Sequence, residues 1–318
     1  MNISASPALD MDGFICTLVQ CISATLGPDV EIITSEQTKN NQISYPCLTL
    51  RHSSRKISPN IRIDDLFSTY KKGFMGIEEI ARQISEAYNG MSGDTSGLED
   101  LYSDPEKLKD KIIYRLINFE RNSDMLGSCP HFRILDLAMI FCLSVSISGD
   151  ETGTIRIDDK LASIIGMDAD KLLSYALKNT PKIYAYSYEK LDELLLKIMD
   201  KKGVPEEMFP PFIGGDALHT PMSVLTNNHE YYGASSMLYP GVLEKIRDEL
   251  NQDFYIIPSS VHEVIIVPSS HTDSMHLRDM LEDVNKTIVP PEEILSDNIY
   301  RYPNDFGPDT LGPFLSSF

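Results

Sequence analysis

In the segment NQDFYIIPSSVHEVIIVPSS two runs rich in Ile, Val, Phe and Tyr flank Pro258-Ser259-Ser260, and His262 and Glu263 follow. A hydroxyl beside an imidazole and a carboxylate is the raw material of nucleophilic catalysis. The imidazole takes the hydroxyl proton as the oxygen attacks, and the carboxylate orients the ring. Ser259, Ser260, His262 and Glu263 are therefore the candidate catalytic residues. The pattern Gly-x-Ser-x-Gly, which holds a nucleophile on a strained turn, does not surround them. The same serines also suit a plain turn, where their hydroxyls bond local backbone groups.

Other chemistries have less material. His262, His271 and His276 lie near Glu263 and Asp273, but His271 and His276 are five apart rather than three or four, and no His-Glu-x-x-His occurs. No metal is expected, and His219 and the pair His229-Glu230 stand no better. Cys129, in Gly127-Ser128-Cys129-Pro130-His131, is the cysteine with a near histidine, and a loop mouth there would suit a lowered thiol pKa. Neither Gly-x-x-x-x-Gly-Lys-Ser/Thr nor a strand followed by Gly-x-Gly-x-x-Gly is present, so no nucleotide or other cofactor is expected.

The charge balance limits the partners. Across 318 residues, 28 Lys and Arg face 47 Asp and Glu, a formal net charge of -19. Such a surface repels phosphate backbones and anionic lipid, so neither nucleic acid nor membrane is expected as a partner. The basic cluster Arg51 to Lys56 is a local exception that could meet an acidic partner or the chain's own acids near Asp100 to Asp110. Five scattered cysteines imply free thiols in a reducing compartment, and neither a leader nor a long apolar span is visible, so the expectation is a soluble cytoplasmic protein. The apolar run Ile134 to Ile147 contains Asp136 and reads as a buried strand or helix.

Periodicity supplies the elements that must position these groups. Asp10 to Leu26 has the spacing of an amphipathic helix ended by Gly27-Pro28 and capping a small sheet, Val30 to Thr34 with Tyr45 to His52. Helices follow at Asp64 to Lys72 and Gly76 to Tyr88. Residues 93–104 read as a linker or loop, which separates an N-terminal module, 1–92, from an α+β module, 105–303, with a tail at 304–318. In the second module Lys111 to Phe119 alternates as a strand, and Thr154 to Ile157 returns beside the apolar run. Asp168 caps a helix to Lys178, Ser187 to Lys202 reads as a helix, and Met222 to Thr226 and Ala234 to Leu238 read as strands. A helix at Pro240 to Leu250, the pair Phe254 to Pro258 and Val261 to Pro268, and a helix at Thr272 to Asn285 complete it. Strands that follow one another in hairpins imply an α+β fold with mainly antiparallel sheets.

Several segments in order, IDDLFSTYKKGFMGIEEIARQI, YRLINFERNSDML, PHFRILDLAMIF, LKNTPKI, YGASSMLYPGVL, FYIIPSSVHEVIIVP and VNKTIVPPEEILSDNIYRY, resemble an uncharacterised bacterial family, domain of unknown function 5688. The resemblance runs from about Arg51 to Tyr302 and implies no activity, cofactor or catalytic residue. It marks the Pro-Ser-Ser-Val-His-Glu segment and the Tyr239-Pro240-Gly241 turn as candidates for a shared site.

The leading functional reading is a non-enzymatic protein that binds a protein or small-molecule partner through the second module. The first alternative is a hydrolase or transferase that combines Ser259, Ser260, His262 and Glu263 with loops at Asn179-Thr180-Pro181 or Gly214 to His219. The second is a subunit of a homo-oligomer joined through the apolar tail.

Overall fold

The structure, a computed structural model, describes residues 9–53, 58–90, 105–148, 151–202, 221–258, 260–270 and 272–307. Contacts divide the chain into two compact units, Met1–Tyr102 with Ser146–Thr152 and Ser103–Val145 with Gly153–Phe318. The stretch read as a linker, 93–104, lies outside the described residues, as do 308–318 of the tail, residues 54–57 of the basic cluster and the Gly214 to His219 loop.

In the first unit, α1 (Met11–Leu26) starts where the Asp10 carboxylate accepts from the Gly13 N–H at 2.9 Å, and it stops at Gly27, whose φ of 80° an L side chain resists. β1 (Val30–Thr38), β2 (Ser44–His52) and β3 (Asn60–Arg62) form an antiparallel sheet, with Ile32 opposite Leu50 and Thr34 opposite Leu48. α2 (Ile63–Lys71) and α3 (Ile77–Gly90) complete the unit. Phe14, Leu18 and Ile22, one face of α1, are fully buried against Leu48, Leu50, Ile63 and Ile80. The three- and four-residue spacing of these positions is what makes the core.

The second unit holds two antiparallel sheets. In the first, β4 (Ile112–Asn118) and β5 (His131–Ile134) flank β6 (Leu137–Ser148), which also pairs with β7 (Glu151–Arg156). Every residue of β4 is buried, because both of its faces are covered. Asp136 interrupts the apolar run for a reason: it sits in the turn before β6 and accepts hydrogen bonds from Tyr300 Oη at 2.6 Å, Ser296 Oγ at 2.6 Å and Asn298 Nδ2 at 3.0 Å. These bonds tie the end of the second sheet to this turn. The hydroxyl proton of Tyr300, buried and hydrogen-bonded to that carboxylate, is held far more tightly than usual.

Two helices follow the first sheet, and the second of them packs on β4. α4 (Asp159–Ile165) begins where Asp158 accepts from the Leu161 N–H at 2.7 Å, and α5 (Ala169–Ile183) where Asp168 accepts from the Lys171 N–H at 2.9 Å. Each cap is worth about 1 kcal/mol. Asn179, Thr180 and Pro181 lie in the last turns of α5, not in a loop. Asn179 Nδ2 donates to the carbonyls of Lys109 and Ile112 at 2.7 and 3.0 Å, and Thr180 Oγ1 accepts from the Tyr114 N–H at 3.0 Å. Their polar groups are spent holding the helix on β4, which removes them from any catalytic loop.

The second sheet runs β12-β10-β11-β9-β8, from β8 (Tyr186–Lys190), β9 (Ser223–Asn227), β10 (Phe254–Ile257), β11 (Val264–Pro268) and β12 (Tyr300–Tyr302). Its helices are α6 (Leu191–Lys201), α7 (Val242–Leu250) and α8 (Ser274–Thr287), the last capped by Asp273, which accepts from the N–H groups of Met275 and His276. Two expectations fail here. The helix read from Ser187 begins only at Leu191, because Tyr186 to Lys190 pair with β9, and β-prone tyrosines at alternate positions favour that strand over a longer helix. The strand read at Ala234 to Leu238 is a 3₁₀ helix, Gly233–Leu238, whose residues are all buried. Its Ser236 hydroxyl donates to the Thr226 carbonyl at 2.8 Å, which fastens the 3₁₀ turn on β9.

Candidate functional site

The serine-histidine-glutamate segment closes the β10–β11 hairpin, in which Ile256 pairs with Ile266 and Ile257 with Ile265. Ser259 lies outside the described residues. Ser260 is 5% exposed and bridges to Ile294, and the Val261 N–H donates to the Glu293 carbonyl at 2.8 Å. The Ser260 hydroxyl oxygen accepts from the His262 backbone N–H at 2.9 Å. His262 Nδ1 accepts from the Tyr232 backbone N–H at 3.3 Å, and its Nε2 lies 3.7 Å from a Glu293 carboxylate oxygen. A backbone N–H can only donate, so Nδ1 offers its lone pair and the ring proton of the neutral imidazole sits on Nε2, toward Glu293. The Tyr232 N–H occupies Nδ1, and the carboxylate that Nε2 faces is that of Glu293.

Beyond His262 a cation is held with no carboxylate partner among the described residues. Arg115 of β4 is 8% exposed, and its guanidinium carbon lies 3.6 Å from the centroid of the Tyr232 ring and 5.0 Å from that of Tyr231. It also donates to Thr154 Oγ1. The two tyrosine rings meet edge to face at 4.6 Å, and both flank His262, at 5.8 and 5.5 Å. A π-face is a partner for a buried guanidinium, worth about 2 kcal/mol where water is excluded. Burial raises the pKa of the Tyr232 phenol, an effect that the Arg115 charge opposes. Gly233 makes the approach possible: a Cβ there would stand 2.1 Å from Thr226 Oγ1 and 2.5 Å from the His262 carbonyl oxygen. Arg115, Tyr231, Tyr232 and Glu293 are not among the residues singled out by sequence. The adjacent tyrosines followed by glycine were the available signal.

Glu263 points elsewhere, into a cleft of about 530 Å³. The strand register builds its floor. Ile265 pairs with Val224 and Val224 with Glu189, and in the neighbouring row Thr226 pairs with Ser187, so these side chains share one face of the sheet. α8 packs on one end of that face through Leu277 and Leu281. Leu191, Leu194, Leu195 and Ile198 of α6 line the cleft at the other end, yet α6 has no buried residue. Glu263, Glu230 and Glu189 contribute carboxylates. Glu189 has its cation, Lys197 at 2.6 Å, whereas Glu230 and Glu263 have no Lys or Arg partner among the described residues. Burial pushes the Glu263 carboxyl up, a shift opposed by nearby His262 and by its hydrogen bond with Ser260.

The remaining candidates are dispersed. Among the described residues no group of His, Cys, Asp and Glu could hold a metal ion, and His271 lies outside them. The His229 ring packs edge to face on Tyr184 at 5.2 Å. Cys129 does not have the lowered thiol pKa that its loop suggested: burial raises it, and His131 turns Nδ1 to the Cys129 carbonyl at 2.8 Å rather than to the sulfur. Among the described residues, no helix is long and apolar enough to cross a membrane.

Fold and site together define an α+β protein with mainly antiparallel sheets and a cleft lined by carboxylates and aliphatic side chains beside an edge strand. The chain belongs to a family of unknown function (DUF5688), whose model matches residues 11–304 and so takes in α1 as well as the segments that carried the resemblance. No curated protein and no solved structure matches the chain.

Proposed function

We propose that this chain is a non-enzymatic binding protein of the cytoplasm whose ligand enters the cleft between α6 and the second sheet and carries a cation on an aliphatic body. The observation that supports this is the mismatch across the cleft. An amphipathic helix normally closes its apolar stripe on the core, but the leucines of α6 face a space of about 530 Å³, within the ~300–1,000 Å³ typical of ligand sites. Opposite them, Glu263 is partly desolvated with no Lys or Arg partner among the described residues. A ligand ammonium or guanidinium would stabilise that charge, and an aliphatic chain would cover the leucines. The bonds of His262 to Tyr232 and of Ser260 to His262 favour binding over hydroxyl activation. Free thiols and the acidic balance agree with the cytoplasm.

Titration calorimetry with octylammonium and with octanoate tests the reading. Octylammonium should bind saturably and octanoate at least tenfold more weakly, and Glu263→Gln should cost octylammonium about tenfold, or 1.4 kcal/mol. Equal binding of the two amphiphiles, or an indifferent Glu263→Gln variant, would sink it.

A further inference from the structure

Among the described residues the second sheet ends on β8, and the outer edge of that strand lies between two clefts. The ladder to β9 is bracketed by the Asn228 N–H to Ala185 carbonyl bond, 2.8 Å, and the Leu191 N–H to Met222 carbonyl bond, 2.9 Å. In an antiparallel pair every second residue bonds its partner, so Ser187 and Glu189 turn to β9, and Tyr186, Tyr188 and Lys190 turn their N–H and C=O groups outward. Among the described residues no strand pairs with that side. Natural edges are blunted by proline, bulges or charge. β8 has no proline and no bulge, and its charges are Glu189, paired with Lys197, and Lys190 at the end of the strand.

One face of β8 opens on the cleft described above. The other opens on a second cleft of about 410 Å³, lined by Tyr188, Asp192, Glu193, Ser223 and Glu249 among others. We propose that the partner is an extended, basic segment of another polypeptide, added as one further strand on β8 with alternate side chains falling into the two clefts. This rests on the cleft reading and names its ligand class. The charge supports it: of the carboxylates Glu189, Glu230, Glu263, Asp192, Glu193 and Glu249, only Glu189 and Glu193 have a lysine partner among the described residues, Lys197 at 2.6 Å and Lys190 at 3.5 Å. The added strand gains main-chain bonds along Tyr186, Tyr188 and Lys190, aliphatic contact with Leu191 and Leu194 in the first cleft and, on its opposite face, cation partners for Asp192 and Glu249 in the second. Strand addition uses only one edge of the incoming peptide, and that gives the test its resolution.

The probe is a seven-residue blocked peptide of alternating lysine and valine, compared with one copy N-methylated at every lysine and another at every valine. All three keep the same side chains and charge, but each methylated copy loses the donors of one strand edge. The parent should bind, one methylated copy should match it within threefold, and the other should lose at least tenfold. The amides of Tyr186, Tyr188 and Lys190 should also exchange hydrogen more slowly with the parent bound. No binding of the parent, equal behaviour of the two methylated copies, or unchanged exchange at those three amides overturns strand addition. Octylammonium distinguishes the failures: if it binds while the peptides fail, the cleft reading stands and only the strand falls.

Discussion

The backbone N–H of Tyr232 donates to Nδ1 of His262 at 3.3 Å, joining the 3₁₀ turn after β9 to the hairpin between β10 and β11. Deleting that acceptor leaves a part-buried donor without its bond. His262→Ala should therefore lower unfolding free energy by about 1 to 3 kcal/mol in a urea titration. A variant as stable as the parent would show that the ring does not hold the turn.

Arg115 and Tyr232 should behave as a coupled pair. Tyr232→Phe keeps the ring face and should stay within about 0.5 kcal/mol of the parent. The cycle of Arg115→Met and Tyr232→Leu should give a coupling of about 1 to 2 kcal/mol, measured by chemical denaturation. Additive losses would mean that the guanidinium gains nothing from the ring 3.6 Å away.

Gly233 has no room for a side chain. Gly233→Ala should destabilise by about 3 kcal/mol, because Thr226 and the His262 carbonyl are packed where its methyl group would go. Gly90→Ala, in the last turn of α3 with nothing within 4 Å, should instead stabilise by about 0.5 to 1 kcal/mol. Equal melting temperatures for the two variants would contradict the packing described.

Glu263 gives a pH signature. Its carboxyl pKa is raised in the folded protein, so the charged form is the less favourable one there. The cost is absent below the unfolded value, about 4.3, grows as pH rises through the folded value, and is fully present above it. Glu263→Gln should thus melt higher than the parent at pH 7 and lose that advantage near pH 4. Affinity for octylammonium should rise over the same interval as the carboxylate forms. A stability difference independent of pH would remove burial of charge as the cause.

Much of the fold was legible because its causes are local. Asp168 caps the helix it precedes, the Phe14, Leu18 and Ile22 stripe is the face that α1 buries, and the Phe254 to Pro268 runs pair as a hairpin. Ser187 to Lys190 run without a break into the periodic pattern of α6 and so read as helix, and only pairing with β9 decides for the strand. The Gly233–Leu238 segment, apolar enough for a strand, is fixed instead by the Thr226 carbonyl and by the space around Gly233.

The site divides along the same line. By itself the sequence determined the residue types at the hairpin turn, the acidic balance, the capped helices and the antiparallel α+β class, since these depend on composition, on neighbours a few residues apart and on side-chain period. Only the tertiary structure decided that the His262 ring faces Tyr232 and Glu293, that Arg115 lies on a ring more than a hundred residues along the chain, and that Glu263 enters a cleft floored by β9 and β11. Hydrogen-bond direction, desolvation and cross-strand register are properties of groups brought together from distant positions, and no local pattern encodes them.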